Sequence, residues 1–307
     1  MKQFSYFLMS FILVIFISGC SDGDDRQYNI EYSTVPSFEK KEYIFGVHPL
    51  HNPKKLFEVY QPLVDFINSQ LVDSRIKLEA SRNYAAYDKK LFSGYFDLSL
   101  PNPYQTVVAA DLDYEIFGKM GDDNNFKGLL IIRKDSNINK VSDLKGKSIS
   151  YPALTALAAT MMPQDFLYKN GIDINKDINN SYVGSQESSI MNVYLKKSQA
   201  ASTWPPPWIA FAKERPQIAK KLEVKWETKP LLNNGFVARK DFPKKLLSKI
   251  SNIIFNLHTH ENGKKILKNM ELSRYEKADY KTYDKVREFI KSFEKNIRPV
   301  RIIKDDK

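Results

Sequence analysis

The sequence predicts an α/β fold with a largely parallel sheet, organised as two units. β-rich runs alternate with amphipathic helical stretches along the body of the chain, which is the pattern of successive βα units. A length of 307 residues suffices for two hydrophobic cores. A hydrophobic fraction of 42% is close to the globular average, which excludes a disordered chain and a protein with many membrane spans.

In chain order, Tyr43-Ile-Phe-Gly-Val47 reads as a buried strand running into the loop His48-Pro49. Leu56, Val59, Tyr60, Leu63, Phe66, Ile67 and Leu71 then recur at helical spacing. Arg75–Glu79 alternates as a second strand, and Tyr84–Phe92 is helical. Gly94–Leu100 is a strand ending at Pro101-Asn-Pro-Tyr104, Thr106–Ala110 a helix, and Tyr114–Met120 a strand. After a polar turn, Gly128–Arg133 is a further buried strand. A second series follows: helix Ala156–Tyr168, strand Ser181–Gly184, helix Ser188–Leu195, and strands Gln199–Thr203 and Leu222–Trp226. Asn233–Arg239 is a strand, and helices are expected over Pro243–Leu257, Glu261–Lys268 and Tyr280–Phe293.

The N-terminus has a different character. Lys2, an apolar run from Phe4 to Ser18 and the small-residue exit Gly19-Cys20 have the layout of a secretory signal peptide over residues 1–19. The run is shorter than the roughly 20 residues a spanning helix needs. Ile17-Ser18-Gly19-Cys20 resembles the bacterial lipobox, and Cys20 is the single cysteine of the chain. Cys20 is therefore read as a lipid (palmitate-bearing) anchor, followed by a tether over residues 20–40. The expected location is the periplasmic or cell-surface side of a membrane, which excludes cytoplasmic work and nucleic-acid partners. One cysteine also excludes a disulfide framework and Cys-rich metal sites.

The charge is +11, from 47 Lys+Arg and 36 Asp+Glu. It is unevenly placed: residues 20–200 hold 21 basic and 23 acidic side chains, residues 201–307 hold 25 and 13. The excess sits in the C-terminal third and says little about a ligand. Gly146-Lys-Ser148 lacks the glycine a phosphate loop requires five residues before Gly146. His48, His51, His258 and His260 have no acidic cluster beside them and read as surface histidines, so no metal or other cofactor is expected. No nucleophile–base motif is present, and no enzymatic activity is expected.

The ordered set Phe45-Gly-Val-His-Pro49, Tyr60-Gln-Pro-Leu63, Tyr84, Gly94-Tyr-Phe-Asp-Leu98 and Pro101-Asn-Pro-Tyr104 resembles the substrate-binding proteins of phosphate/phosphite/phosphonate ABC transporters. Arg133-Lys-Asp-Ser136, Ser142-Asp-Leu-Lys-Gly-Lys147, Pro152 to Pro163, Tyr182-Val-Gly-Ser185 and Asn234-Gly extend the likeness over residues 43–291. The resemblance implies a two-lobed periplasmic-binding-protein type II fold with two hinge crossovers. Lobe one would be 41–126 plus 231–307, and lobe two 127–230. It also implies a small anionic ligand in the cleft and an ABC permease as partner. A sensor kinase receiving the ligand-loaded protein is the alternative, with the Trp-Pro-rich segment as partner surface.

Within that frame, Thr155 is expected to cap a helix whose first amides, from Ala156 onward, receive the anion. Relatives carry a Ser/Thr-rich turn there; this chain has Leu154, Ala156 and Leu157. Tyr84 and Tyr104 each follow a strand, the side from which open α/β sheets present ligand groups, and Tyr84 falls where relatives have a ligand tyrosine. Ser185 and Gln186 follow another strand. In Ser202-Thr-Trp-Pro-Pro-Pro-Trp208 three prolines are expected to hold an extended backbone that brings Trp204 to the cleft rim. Ala200-Ala201 stand where many relatives have an acidic residue, so a ligand amine is not expected.

Overall fold

Residues 40–300 are described by the computed structural model; the predicted signal peptide, Cys20 and the tether up to Glu39 lie outside the described residues. Strand β1 (Lys41–Val47) opens the first sheet, with Tyr43, Phe45 and Val47 buried on it. Helix α1 (Pro53–Asn68) begins at Asn52, whose side chain accepts from the Lys55 amide, with proline in the first turn, where its missing N–H costs nothing. Its buried face (Leu56, Val59, Tyr60, Leu63, Val64, Ile67) follows the periodicity of the sequence. Then come β2 (Ser74–Ala80), α2 (Tyr84–Phe92), β3 (Leu98–Leu100), α3 (Pro103–Asp111) and β4 (Tyr114–Met120).

The chain next crosses to a second sheet, built from β5 (Leu129–Arg133), β6 (Ser148–Tyr151), β7 (Asn179–Tyr182), β8 (Ala200–Thr203) and β9 (Leu222–Glu227). Its helices are α4 (Met162–Lys169), α5 (Gln186–Tyr194), α6 (Pro205–Glu214) and a short α7 (Pro216–Ala219). A second crossing returns to the first sheet with β10 (Gly235–Arg239), α8 (Lys244–Phe255), α9 (Glu261–Asn269), β11 (Tyr275–Lys277) and α10 (Asp284–Asn296). Strand orders are β11-β4-β10-β3-β1-β2 and β7-β6-β8-β5-β9. The result is the two-lobed α/β fold with two crossovers.

Both sheets are mixed, which corrects the expectation of a largely parallel sheet. β1–β2, β1–β3, β6–β7 and β6–β8 are parallel. β10 runs against β3 and β4, β11 against β4, and β5 against β8 and β9. The antiparallel strands are those that lead into or out of the crossings, or follow the second one, where the chain enters a sheet without a βα unit of that sheet before it. Among the described residues no helix is long and apolar enough to cross a membrane.

The two crossings are hydrogen-bonded to each other. The Thr228 amide donates to Gly128 O at 2.9 Å, the Gly128 amide to Thr228 Oγ1 at 2.9 Å, and the Leu231 amide to Phe126 O at 2.9 Å. Gly128 also lies under the base of α4: a Cβ there would stand 2.5 Å from the Ala158 carbonyl oxygen and 2.6 Å from Pro163. Beyond α10 the chain reaches the second lobe. Arg298 donates to Gln164 Oε1 and to the Leu154 carbonyl, both at 2.9 Å, and Asn175 Nδ2 donates to Ile297 O at 3.0 Å.

Two local expectations fail. The three prolines form the first turn of α6, with Pro206 and Pro207 buried, instead of an extended rim. First-turn positions need no intrahelical N–H donor, so consecutive prolines fit there. Thr155 is not a helix cap. Residues Leu157–Met161 make a π-helical turn ahead of α4, with Ala156 before it and no side-chain cap.

Candidate functional site

Parallel strands bring their carboxyl ends to one edge of a sheet, and the loops there converge. In the first sheet β1 leads to His48, β3 through Pro101 to Asn102, and β2 to Tyr84 at the start of α2. β10, antiparallel to β3, begins at the same edge with Asn234 just before it. In the second sheet β6 leads to the π-helical turn, β7 to Gln186 and β8 to Trp204. These ends face each other around a cavity of about 190 Å³. His48, Tyr84, Asn102, Phe126 and Asn234 line it from one side; Ala156 to Ala159, Gln186 and Trp204 line it from the other.

Tyr84 and Gln186 meet across the gap. Gln186 Nε2 donates to the Tyr84 hydroxyl at 3.1 Å, and Thr203 Oγ1 donates to Gln186 Oε1 at 2.8 Å. Gln186 is thus held from its own lobe, and the Tyr84 O–H remains a donor for a third group. Asn102 Nδ2 donates to the Thr155 carbonyl at 3.0 Å, while its Oδ1 caps α3. Trp204 is buried, its ring 5.4 Å from Phe126 at 59°.

Below the cavity, Thr155 donates its hydroxyl to Asp88 Oδ2 at 2.9 Å, and Gln105 Nε2 donates to Asp88 Oδ1 at 2.5 Å. Burial pushes the Asp88 carboxyl up to about 6, against the pull of those two hydrogen bonds. Burial drives His48 the other way, down to about 4, so its imidazole is neutral at pH 7. No lining side chain carries a formal charge at that pH. Donors come from backbone instead: the Ala156 amide donates to Ala153 O at 3.3 Å, and the next amides, at the start of the π-helical turn, lack intrahelical acceptors ahead of α4.

Of the residues singled out by sequence, the fold brings Tyr84, Ala156, Gln186 and Trp204 together. Tyr104 is buried away from the cavity, its hydroxyl 3.5 Å from Val300 O. Ser185 caps α5, accepting from the Ser188 amide at 3.1 Å. The Thr155 hydroxyl is committed to Asp88. His48, read as a surface residue, is 2% exposed, its Nδ1 3.0 Å from Leu100 O. Asn102 and Asn234 were not singled out as site residues, although both stand beside prolines or glycine at predicted strand ends.

A second cavity of about 380 Å³ opens beside the first and shares Gln186 with it. His51, Asn52 and Lys55 face Glu187, Phe211 and Glu214 there. Lys55 reaches Glu214 at 2.8 Å, and Asn52 donates to Glu187 at 3.3 Å, so this rim also joins the lobes.

Comparison with known proteins agrees with this architecture. Residues 45–283 match the family described as ABC transporter, phosphonate, periplasmic substrate-binding protein. The probable ABC transporter phosphite-binding protein PhnD1 of Prochlorococcus marinus is 25% identical over 179 residues; the match spans 54% of this chain and 60% of that protein. The structure of PhnD1 in complex with methylphosphonate superposes with a TM-score of 0.75 at 22% identity, covering 83% of this chain and 99% of that one. A binding-protein component of an ABC phosphonate transporter from Pseudomonas aeruginosa gives 0.76 at 19% identity, covering 84% and 88%. The chain belongs to the family of periplasmic substrate-binding proteins of phosphonate ABC transporters, whose members bind solutes and are not enzymes.

Proposed function

We propose that this chain is an extracytoplasmic solute-binding lipoprotein, anchored through Cys20, that receives a small oxyanion of the phosphonate, phosphite or phosphate class and delivers it to an ABC permease. The observation that carries the reading is the interlobe cavity. Both sheets present strand ends to it, and the Tyr84–Gln186 hydrogen bond joins its two walls. A ligand held there contacts both lobes at once, which favours the closed arrangement by its differential affinity.

The chemistry of the walls suits an anion of small size. Backbone amides, the Tyr84 hydroxyl and the Trp204 indole supply donors without a cationic side chain. With Ala200 and Ala201 on the neighbouring strand, nothing pairs a ligand ammonium. The roles of Tyr84, Ala156, Gln186 and Trp204 as ligand contacts, and the division into lobes 41–126 plus 231–307 and 127–230, belong to this proposal.

Thermal unfolding of the full chain with phosphate, phosphite and methylphosphonate tests it. A bound ligand at about 100 times its Kd stabilises the native state by about 2.7 kcal/mol, readily seen as a raised Tm. A flat response to all three anions would sink the reading.

A further inference from the structure

The walls of the interlobe cavity differ in hydrogen-bonding polarity. On the second-lobe side the wall presents donors: the amides of the π-helical turn after Ala156, and the Trp204 indole N–H. On the first-lobe side two groups accept. His48 Nδ1 stands 3.0 Å from the Leu100 carbonyl oxygen, which only accepts, so Nδ1 carries the ring proton. The imidazole is neutral, which leaves a lone pair on Nε2. Asn234 is fully buried, with its Nδ2 committed to Met120 Sδ at 3.3 Å, and its Oδ1 has no partner among the described residues.

A buried acceptor left unpaired is costly, so a bound ligand is favoured if it brings a donor to that wall. A fully deprotonated oxyanion brings none, and its oxygens would face two lone pairs. We infer that the cavity selects an oxyanion that keeps one proton, a monoanionic phosphonate bearing a P–OH group, with the unpaired, buried Asn234 Oδ1 as the acceptor of that single proton. The hydroxyl then turns to the first lobe, and the charged oxygens turn to the π-helical amides of the second. This deepens the oxyanion reading and rests on it. It also identifies Asn234 as the specificity-determining residue, while Tyr84 and the amides hold any tetrahedral anion.

The test is a matched pair of ligands, titrated calorimetrically into the full chain in detergent. In mildly acidic buffer methylphosphonate has one charge and one hydroxyl; methanesulfonate has one charge, nearly the same shape and no hydroxyl. Methylphosphonate is expected to bind about 10- to 100-fold more tightly, the penalty for leaving a buried acceptor unpaired. Equal affinity overturns the inference and leaves the oxyanion reading standing; absence of binding by both removes the oxyanion reading and the inference with it. In Asn234→Ala the ratio is expected to shrink to within about threefold through weaker methylphosphonate binding. An unchanged ratio in that variant overturns the assignment to Asn234. Should Asn234→Ala lose its melting transition, the near-isosteric Asn234→Leu is read in the same way.

Discussion

The Tyr84 hydroxyl accepts a hydrogen bond from Gln186 Nε2, 3.1 Å away and 102 residues along the chain, and so links the end of one sheet to the end of the other. Both side chains are buried, so neither group has bulk water as a ready substitute. Tyr84→Phe leaves the Gln186 amide short of an acceptor while keeping the ring against His48, whose centroid lies 6.2 Å away. The expected cost is about 1–2 kcal/mol in stability, together with a larger radius of gyration in small-angle scattering as the lobes part. Unaltered scattering and melting would show that the bond contributes nothing to closure.

Acid should destabilise the protein through His48. Its folded-state value, about 4, lies below the ordinary 6.5, so the unfolded chain takes up a proton first as pH falls. The stability His48 contributes is complete above pH 6.5 and is lost as pH drops toward 4. Asp88 works in the opposite sense: its folded value of about 6 exceeds the ordinary 3.8, so the native state binds the extra proton within that window. Asp88→Asn is therefore expected to steepen the acid loss and His48→Phe to flatten it, read as urea unfolding free energy at a series of pH values.

Gly128→Ala places a methyl group against backbone that cannot swing aside, 2.5 Å from the Ala158 carbonyl oxygen. Relief requires the first crossing to shift from the base of α4. A loss of about 1–3 kcal/mol is expected by thermal unfolding, with the Thr228 and Leu231 amides exchanging faster in hydrogen exchange. A wild-type exchange pattern would contradict the packing described here.

Arg298→Ala removes the donors that tie the end of α10 to Gln164 and Leu154. The expected effect is about 1 kcal/mol, with greater protease sensitivity confined to the residues after Phe293. If cleavage there is unchanged, the C-terminal contact adds no local stability.

The element order was legible because apolar spacing and turn residues agree along most of the chain, as in the buried face of α1 from Leu56 to Ile67. Tyr84, Gln186 and Trp204 were legible as residues just after strands. What escaped depends on partners distant in sequence. His48 sits in a short loop near Lys54 and Lys55 and looks solvated; its burial comes from Leu100 on the adjacent strand. Thr155 looks like a cap because caps are local, yet its hydroxyl goes to Asp88, 67 residues away. The prolines after Trp204 were misjudged for another reason: the same three residues suit an extended segment or a helix's first turn, and the apolar residues after Trp208 decide for the helix.

The paired crossings have a mechanical consequence. Two separate strings between bodies permit swing, twist and slide; two strands bonded side by side through Gly128, Thr228, Phe126 and Leu231 behave as a ribbon. A ribbon bends easily about the axis across its width and resists torsion. If that ribbon is the hinge, opening the cavity also parts a third link, the Arg298 hydrogen bonds to Gln164 and Leu154, so ribbon bend and C-terminal contact change together.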